Sequence, residues 1–531
     1  FRLFNKMFPI KLIRLSVLLV ILFEFVFIGV KCNAPKETNE DVKNKQNEYL
    51  DTKALVEDAI DWAQKISLVW LPKQHMGRSD VTEIVPFTLF PSPFPRKMFE
   101  FGQKVQIAYN LLYFRVSNDY EFITKAYEKV AETNIAIRRL LTILKAVTAE
   151  GIKQTKSLVL ARSDYMCHVA KEHAEMEQQK YELKQIEFNA GPIGGLSVSR
   201  RISNLHRRTM WKASRKWTQK QMPNSEGDTA IAKALYHAWQ AFGDAEGIIL
   251  IIANKRNLNR IGQKHIEYEI NKLSGGKVKS KRIGEPERAL LVKKGSLTLH
   301  PEDFSLLLEG KRVSVVYQMT DPQEDEQNAD EAAAQLLIER STAIKAPTVS
   351  LNLASMKRVQ MLLAKPGMLE RFLPEPEYEE MVTELRSTFA GLWDLEDNDE
   401  DTKRAIEDAI ENPHNYVLKP NMEGGGHNFW GDKIREKLRT FTASEKAAHI
   451  LMKRVHPLVI KNFMVRSQQT KTQYGRMTSE LSIIGWLLGD ANGNHVLDNV
   501  QSGHFMRTKL EKVDEGGISV GTGAFDSPFL I

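Results

Sequence analysis

Cysteine is almost absent from this chain, since Cys32 and Cys167 are the only two among 531 residues. Two thiols cannot build a disulfide framework, which excludes the class of small secreted domains that disulfides hold together. Hydrophobic residues make up 42% of the chain and charged residues 27%, which excludes wholesale disorder and a polytopic membrane protein. The length predicts one large domain or two or three fused ones.

Two common kinds of functional motif are also missing. No Gly-x-x-x-x-Gly-Lys-Ser/Thr loop occurs, which excludes an ordinary phosphate-binding loop. The 13 histidines show no metal-site spacing, and Cys167 next to His168 is more typical of a buried thiol than of a nucleophile. A nucleotide or metal site must therefore be built from other residues.

The first 34 residues have the composition of a secretory signal. Basic residues precede an apolar run over residues 15–30, and Cys32-Asn33-Ala34 offers small residues to a signal peptidase. Glu24 inside the run would be costly in a bilayer, so a membrane anchor is the weaker alternative. We therefore expect a signal peptide over residues 1–34, secretion into an external or host compartment, and no stable membrane anchor after cleavage.

The remaining sequence mixes helical and strand patterns. Residues 35–49 are polar and predict a loose linker, and helical apolar spacing begins at Leu50. Helical patterns alternate with short β-rich runs, which predicts a mixed α/β fold. The helical patterns cover residues 50–66, 97–113, 119–149, 231–242 and 357–372, and the β-rich runs cover residues 247–253, 313–317 and 416–418.

The segment from Arg200 to Lys220 is strongly basic, with Trp211 and Trp217 interleaved. Such a pattern can bind phosphate or nucleic acid, but it is also typical of the solvated face of a helix. We favour the helix, so no nucleic-acid partner is expected.

The stretch from Asn415 to Gly431 carries the strongest chemical signal. A short apolar strand delivers Lys419, Glu423 follows, and three glycines, Gly424 to Gly426, could wrap phosphate oxygens with their backbone N–H groups. A Gly-rich turn with a surface Lys and Glu is the alternative for these residues taken alone. We predict a nucleotide site.

Two further segments supply what this stretch lacks. Period-two alternation predicts that Gln185, Glu187 and Asn189 project from one face of a strand and offer oxygen ligands to Mg²⁺. Arg507 and Lys509 share a face of another strand and suit a carboxylate and a phosphate, although two surface charges on an edge strand would give the same pattern.

Several motifs, in order and in register, resemble the eukaryotic glutathione synthetase family. They run from residue 86 to the C-terminus, and they are Pro86-Phe-Thr-Leu-Phe-Pro-Ser92, Arg162-Ser-Asp-Tyr-Met166, Lys184-Gln-Ile-Glu187, Glu339-Arg-Ser341, Pro366-Gly-Met-Leu369, Val417-Leu-Lys-Pro420, Glu423-Gly-Gly-Gly426 and Arg507-Thr-Lys509. The chain also resembles secreted glutathione-synthetase-like effectors of plant-parasitic nematodes.

The resemblance implies an ATP-grasp fold with a Gly-rich lid, an inserted substrate-binding domain and usually a homodimer. It implies a ligase in which ATP phosphorylates a carboxylate and an amine attacks the acyl phosphate; in the family these are γ-glutamylcysteine and glycine. The expected parts are an N-terminal ATP-grasp part (50–246), the inserted domain (247–353), an ATP-grasp and lid part (354–475) and a C-terminal ATP-grasp part (476–531).

The family's functional residues map onto this chain by position. The resemblance implies two Mg²⁺ ions bound by Glu187, Asn189 and Glu423, and catalytic roles for Arg162, Lys357, Lys419 and Arg507. It implies ATP contacts from Glu187, Lys357, Lys419, Glu423, Gly424, Gly425, Gly426, Asn428, Trp430, Met452, Lys453, Arg454, Val455, Glu480, Lys509 and Glu515. Substrate positions, for a small peptide or an amino-acid-like molecule, are Arg162, Asn257, Asn259, Gln263, Met319, Pro322, Arg507, Ile518 and Ser519.

The substrate positions depart from the family. The family has an acid at Asn257, an Arg at Met319 and a Tyr at Pro322, and its loop at residues 190–196 is longer and carries Ser. Ile518 and Ser519 stand where the family has Val and Ala. Charge-assisted bonds to a dipeptide are lost, so we expect weak or no glutathione synthesis. Two alternatives stay open: an ordinary glutathione synthetase, and a secreted binding protein without turnover.

Overall fold

The computed structural model describes residues 39–169, 180–191, 193–254, 257–320, 329–420, 427–467, 472–518 and 521–531, with side chains from Thr52 onward. The predicted signal peptide therefore lies outside the described residues, and so do Pro322, Glu423 to Gly426 and Ser519. Residues 55–531 form one compact unit; of the unit before them, residues 39–54 are described, as helix.

The helices among the described residues are α1 (Asn39–Lys65), α2 (Arg96–Asn118), α3 (Tyr120–Thr133), α4 (Ile135–Glu150), α5 (Ser199–Lys212), α6 (Gly227–Phe242), α7 (Arg260–Leu273), α8 (Glu285–Lys293), α9 (Ala329–Glu339), α10 (Val349–Ala354), α11 (Lys357–Ala364), α12 (Met368–Phe372), α13 (Glu379–Thr388), α14 (Glu400–Glu411), α15 (Asp432–Thr440) and α16 (Ala443–Ala447).

The strands are β1 (Val69–Trp70), β2 (Glu83–Ile84), β3 (Phe87–Thr88), β4 (Ser92–Phe94), β5 (Lys156–Val169), β6 (Tyr181–Asn189), β7 (Ile248–Ile252), β8 (Ser280–Ile283), β9 (Leu297–Leu299), β10 (Leu306–Leu308), β11 (Lys311–Gln318), β12 (Ile344–Ala346), β13 (Leu392–Asp394), β14 (Tyr416–Pro420), β15 (His449–Lys453), β16 (Val459–Val465), β17 (Gln473–Asp490), β18 (Val496–Leu510), β19 (Gly523–Asp526) and β20 (Pro528–Leu530).

A seven-stranded sheet organises the compact unit, in the order β16-β3-β19-β18-β17-β5-β6. Its long strands β5, β17 and β18 pair antiparallel, and their side chains alternate between two hydrophobic clusters. Leu481 and Ile483 face a cluster shared with α2, α3 and α4, whereas Ile484 and Trp486 face a cluster shared with α5 and α6. The sheet is therefore buried on both faces.

Two smaller sheets and two two-stranded pairings, β1-β2 and β4-β20, complete the described fold. The six-stranded sheet of β7 to β12 spans residues 248–346 and has its own apolar cluster. It lies within the stretch predicted as an inserted domain. The three-stranded sheet β13-β15-β14 packs with α14 and α15 around a further small core.

The mixed α/β prediction is confirmed, with three corrections to element bounds. Helix α1 begins at Asn39, so the linker prediction is wrong for residues 39–49; Glu, Lys and Gln favour a helix even where apolar spacing is missing. The single pattern at 119–149 is two helices, since Asn134 caps α4 with its side chain. The pattern at 357–372 is also two, because Pro366 and the positive φ of Gly367 end the first.

Helix α5 confirms the helical interpretation for residues 200–212 of the basic segment, and Trp211 on it is exposed. The helical interpretation is wrong for residues 213–220, which include Trp217 and lie beyond the end of the helix. Among the described residues no helix has the length and hydrophobicity that crossing a membrane requires.

Candidate functional site

A cavity of about 1200 Å³ opens above the central sheet. Strands β5, β6, β17 and β18 contribute its floor, while β14, β15 and the start of α11 contribute the opposite wall. Eighteen of the residues predicted for the site line it: Arg162, Glu187, Asn189, Asn257, Asn259, Lys357, Lys419, Asn428, Trp430, Met452, Lys453, Arg454, Val455, Glu480, Arg507, Lys509, Glu515 and Ile518.

Strand register brings the charged side chains of the floor together. Glu480 on β17 pairs with Arg507 on β18, and two residues along, Asp164 on β5 pairs with Glu187 on β6. Residues that pair directly, or that lie two apart on one strand, share a face. Segments far apart in sequence therefore present acids and bases to one cavity.

Asp164 is the centre of this floor. It is fully buried, and its carboxylate accepts from Arg162 Nη2 at 2.8 Å, from Arg507 Nη2 at 2.8 Å and from Asn189 Nδ2 at 3.0 Å. Ser482 Oγ donates to its other oxygen at 2.6 Å. A buried acid with this many donors fixes both guanidinium groups.

Arg507 also pairs with Glu480 through the same nitrogen that contacts Asp164. Burial acts to lower the pKa of Arg507, but Glu480 and Asp164 outweigh burial and raise it. Burial raises the pKa of Glu480, and Arg507 opposes that shift. Arg507 therefore stays cationic within the cavity.

Glu187 sits among four cations. Its carboxylate lies 3.8 Å from Lys357 Nζ, 3.7 Å from Arg162 Nη2 and 3.8 Å from Arg507 Nη2, and 26% of its side chain is exposed to the cavity. Enclosure acts to raise the pKa of Glu187, but the surrounding cations, led by Lys357, hold it well below its ordinary value. Glu187 is a carboxylate at any physiological pH.

The two lysines approach from the opposite wall. Lys419 lies on β14, and its Nζ donates to the Ile186 carbonyl at 3.3 Å. Lys357 is the first residue of α11. Burial, together with the neighbouring Lys357, lowers the pKa of Lys419 to about 8, although Glu187 opposes the shift. Two buried lysines facing one carboxylate form a site that favours an added anion.

One detail of the predicted metal face is wrong. The register between β5 and β6 slips at Ile186, since Asp164 pairs with Glu187 while the next residue, Tyr165, pairs with Gln185. This bulge turns Gln185 away from the cavity, where it is fully buried and accepts from Gln360 at 3.1 Å. Glu187 and Asn189 remain on one face, as predicted.

The residues present fit a Mg²⁺ ion. Glu187 offers a carboxylate and Asn189 an amide oxygen, which are donor types that Mg²⁺ prefers. Asn189 Nδ2 is held by Asp164, so its Oδ1 is the atom left for a ligand. Glu423 lies outside the described residues, and within the part of the chain that is described no three His, Cys, Asp or Glu side chains form a metal-binding group.

The 513–518 loop meets the residues that follow the glycine-rich stretch. Glu515 accepts from the Asn428 backbone N–H at 3.1 Å and from Trp430 Nε1 at 3.4 Å. The Arg454 guanidinium lies over the Trp430 ring, 5.3 Å from the ring centre. Burial lowers the pKa of Lys509. Lys509 Nζ also donates to the Val513 carbonyl, so the loop is tied to β18.

The predicted substrate residues divide into three groups. Five of them line the cavity: Arg162, Asn257, Asn259, Arg507 and Ile518. Gln263 and Met319 do not: Gln263 is buried and accepts from Arg282 at 3.1 Å, and Met319 is buried in the hydrophobic cluster around α6. Pro322 and Ser519 lie outside the described residues.

Comparison with known proteins decides the family. The model of the eukaryotic glutathione synthase ATP-binding domain matches residues 50–530. This chain belongs to the eukaryotic glutathione synthetase family. It is 32% identical to the glutathione synthetase of Xenopus laevis over 91% of this chain and 98% of that one, and 32% identical to that of Homo sapiens over 90% and 96%.

Among solved structures, the chain is similar to a glutathione synthetase like-effector from Globodera pallida in its apoform. The TM-score is 0.71 and the identity is 31%, over 90% of this chain and 96% of that one. The family relationship confirms the predicted glutathione synthetase-type fold. It also implies, at the level of the family, an ATP-grasp ligase that uses ATP and Mg²⁺.

Sequence reasoning missed two parts of the site. The sequence motif around Asp164 assigns this residue no separate role. Asp164 lies two residues from Arg162 on one strand, and that spacing would have placed both side chains on one face. Trp70, Lys73 and Met76 also line the cavity, from the segment after α1. Nothing in their spacing indicates this, because a tertiary contact brings them there: the Leu71 N–H donates to the Leu258 carbonyl at 3.0 Å.

Proposed function

We propose that this protein is a Mg²⁺-dependent ATP-grasp ligase that joins a carboxylate to an amine through an acyl phosphate. The observation that carries the proposal is the convergence of four cationic side chains on Glu187 in one cavity. Phosphoryl transfer concentrates negative charge and needs positioned cations rather than a protein nucleophile.

The roles follow from position. Lys357 and Lys419, on the wall opposite the sheet, neutralise charge on the transferring phosphoryl group. Arg162 and Arg507, held by Asp164, bind substrate carboxylates. Glu187, Asn189 and Glu423 would hold two Mg²⁺ ions, which when bound would add charge neutralisation at the phosphates.

The acyl and amine substrates differ, in this proposal, from γ-glutamylcysteine and glycine. Asn257 stands on the cavity wall where the family carries an acid, so the partner of a substrate ammonium group is lost. Glutathione synthesis would then be weak or absent. The relatives from Xenopus laevis and Homo sapiens, which are named glutathione synthetase, favour the second candidate, an ordinary enzyme of that name.

Context supports a secreted role. The Globodera pallida relative is named an effector, and the first 34 residues of this chain have signal-peptide composition. Secretion, an effector role and a homodimer are part of the proposal. A secreted binding protein without turnover is the alternative, and it would be favoured if the protein does not consume ATP.

Calorimetric titration of Mg²⁺·ATP into the purified chain tests the proposal. Binding should be saturable and Mg²⁺-dependent, and Glu187→Gln should weaken it by roughly tenfold or more because a metal ligand is lost. Glu121→Gln, at an exposed acid outside the cavity, is the matched control. Absence of Mg²⁺-dependent binding by the unmodified chain would contradict the proposal.

A further inference from the structure

Part of the cavity lining is apolar. Five side chains form what we call the apolar wall: Trp70, Leu258, Phe505, Ile518 and Phe525. Phe505, Ile518 and Phe525 are almost completely buried within the protein yet line the cavity, and Trp70 is half-buried. An apolar lining in a charged cavity indicates a ligand part that is itself apolar.

Strand order separates this wall from the phosphate-binding residues. Phe505 lies on β18 and Phe525 on β19, whereas Glu187 lies on β6. In the sheet order, two strands lie between β18 and β6 and three lie between β19 and β6, so the wall and Glu187 belong to different parts of the sheet. Lys419 contacts β6 through the Ile186 carbonyl, so the phosphates belong to that edge.

Part of the predicted ATP-contact set belongs to the β5–β6 side: Met452 to Val455 lead into His456, whose carbonyl accepts from the Val169 N–H at the end of β5 at 2.9 Å. Other predicted ATP contacts, Lys509 and Glu515, lie on β18 and the loop after it. None of the predicted ATP contacts is one of the five residues of the apolar wall, so a bound nucleotide would leave the wall free for the second ligand.

The wall is prebuilt rather than assembled from loose side chains. The Phe505 and Phe525 rings are 5.9 Å apart. Gly195 has a φ of +85° and packs so closely that a Cβ there would lie 2.7 Å from the Phe505 ring. The hydrogen bond from Leu71 to Leu258 joins the segments that carry Trp70 and Leu258. Pre-organisation of this kind favours binding of a defined apolar group.

A guanidinium marks the border of the wall. Arg162 Nη1 donates to the Gly194 carbonyl at 3.1 Å, next to the glycine that packs on Phe505. A ligand there meets a cation on one side and aromatic rings on the other. Glycine has no side chain and would leave the wall uncovered, whereas an amino acid or short peptide with a large apolar side chain would satisfy both.

We propose that one of the two non-nucleotide substrates carries a carboxylate next to an aromatic or branched apolar side chain, which packs on Trp70, Phe505 and Ile518. The inference rests on the proposed ligase function and names its substrate class. Discrimination by an apolar pocket between a large side chain and hydrogen is expected to be about tenfold or more in affinity.

The test is calorimetric titration of γ-glutamyl-phenylalanine and γ-glutamylglycine, and of free phenylalanine and glycine, into the full chain with Mg²⁺ and a non-hydrolysable ATP analogue. At least one phenylalanine compound should bind about tenfold tighter than its glycine counterpart. Trp70→Ala should reduce this ratio to about threefold or less, and Ile518→Ser should reduce it as well. Trp211→Ala, at an exposed tryptophan outside the cavity, should leave the ratio unchanged.

Equal affinities within both pairs, or no measurable binding of either phenylalanine compound, would overturn the inference. A ratio that survives both Trp70→Ala and Ile518→Ser would overturn it too. Each titration is repeated without nucleotide. Failure of the ATP analogue to bind counts against the ligase proposal alone. The affinity ratio measured without nucleotide still tests whether the apolar wall binds the apolar side chain.

Discussion

The β6 edge of the cavity and the β19 edge hold their side chains by different forces. At the β6 edge, Glu187 lies 3.8 Å from Lys357, whose charge lowers the pKa of Glu187 against the effect of burial, while burial and the Lys357 charge lower the pKa of Lys419. At the β19 edge, Phe505 and Phe525 are fixed by packing. A balanced set of charges binds a ligand whose charged groups do not vary, such as a nucleotide phosphate. A packed apolar surface instead selects the second ligand by its shape. One fold can therefore keep its reaction while its substrate changes.

The largest effect is a loss of stability, and we expect it from a substitution at Asp164, where the charged and the apolar ends of the cavity meet. Asp164→Asn removes the charge that pairs with Arg162 and Arg507 and leaves one buried and one half-buried guanidinium group undercompensated. Breaking a buried ion pair in this way costs about 3–5 kcal/mol of unfolding free energy. Urea denaturation would measure the loss.

Asp80→Asn is the matched control, because Asp80 also pairs with an arginine two residues away but at the exposed surface. A loss for Asp164→Asn no larger than that for Asp80→Asn would show that Asp164 does not hold the floor of the site.

A substitution of Lys357 disrupts the phosphate-binding end of the cavity most directly. Lys357→Met removes a cation 3.8 Å from Glu187 while keeping most of the apolar side chain. We expect ATP affinity to fall about a hundredfold, equivalent to about 2.7 kcal/mol, with the affinity of any apolar substrate largely kept. Lys125→Met, in an exposed ion pair with Glu121, should leave both affinities unchanged. If Lys357→Met lowered the affinities for ATP and for an apolar substrate equally, the two ends of the cavity would not bind their ligands independently.

The apolar end has a pH-dependent neighbour behind it. His504 precedes Phe505 on β18, faces Phe99 on the other side of the sheet, and burial lowers its pKa to about 3. Because this value is below the ordinary 6.5, the unfolded chain takes up a proton first as pH falls. The stability that neutral His504 contributes is therefore full above pH 6.5 and is lost towards pH 3, by about 2 kcal/mol at pH 5.

His504→Phe should remove that part of the acid sensitivity, which denaturation at pH 7 and pH 5 would measure. His75→Phe, at an exposed histidine, is the control. If His504→Phe and the unmodified chain lose the same free energy between the two pH values, His504 is not the buried neutral group described.

The smallest effect is a change in ATP affinity, and we expect it from a substitution at Trp430. Its Nε1 donates to Glu515 at 3.4 Å, a long and weak bond, and its ring supports Arg454. Trp430→Phe keeps the ring and should change ATP affinity by about twofold or less. Trp393→Phe, which loses a bond to Asp401 outside the cavity, is the comparison. A tenfold loss at Trp430 would assign it a larger share of nucleotide binding.

Sequence reasoning reached the charged end of the site more fully than the apolar end. Lys419, Glu187 and Arg507 stand in short motifs whose residue types already suggest phosphate and metal chemistry, and strand alternation places Glu187 and Asn189 together. The bulge at Ile186, which removes Gln185 from that face, is a backbone irregularity that alternation cannot reveal.

The apolar wall could not be found in this way. Trp70, Leu258 and Phe505 come from distant segments, and each looks like an ordinary core residue in its own context. Met319, predicted to contact substrate from the resemblance to a family motif, is buried in the core and does not line the cavity, so its role stays a prediction. Tertiary packing decides the position of the side chains in both cases.

The most direct test of the account is the rate of glutathione formation from γ-glutamylcysteine and glycine by the purified chain, measured where Mg²⁺·ATP binding has been demonstrated. With a cavity that keeps its cations near Glu187 but offers Asn257 and an apolar wall to the second ligand, we predict that ATP binds while glutathione forms at least about a hundredfold more slowly than with an ordinary glutathione synthetase. Glutathione formation at a rate equal to that of such an enzyme would contradict the account.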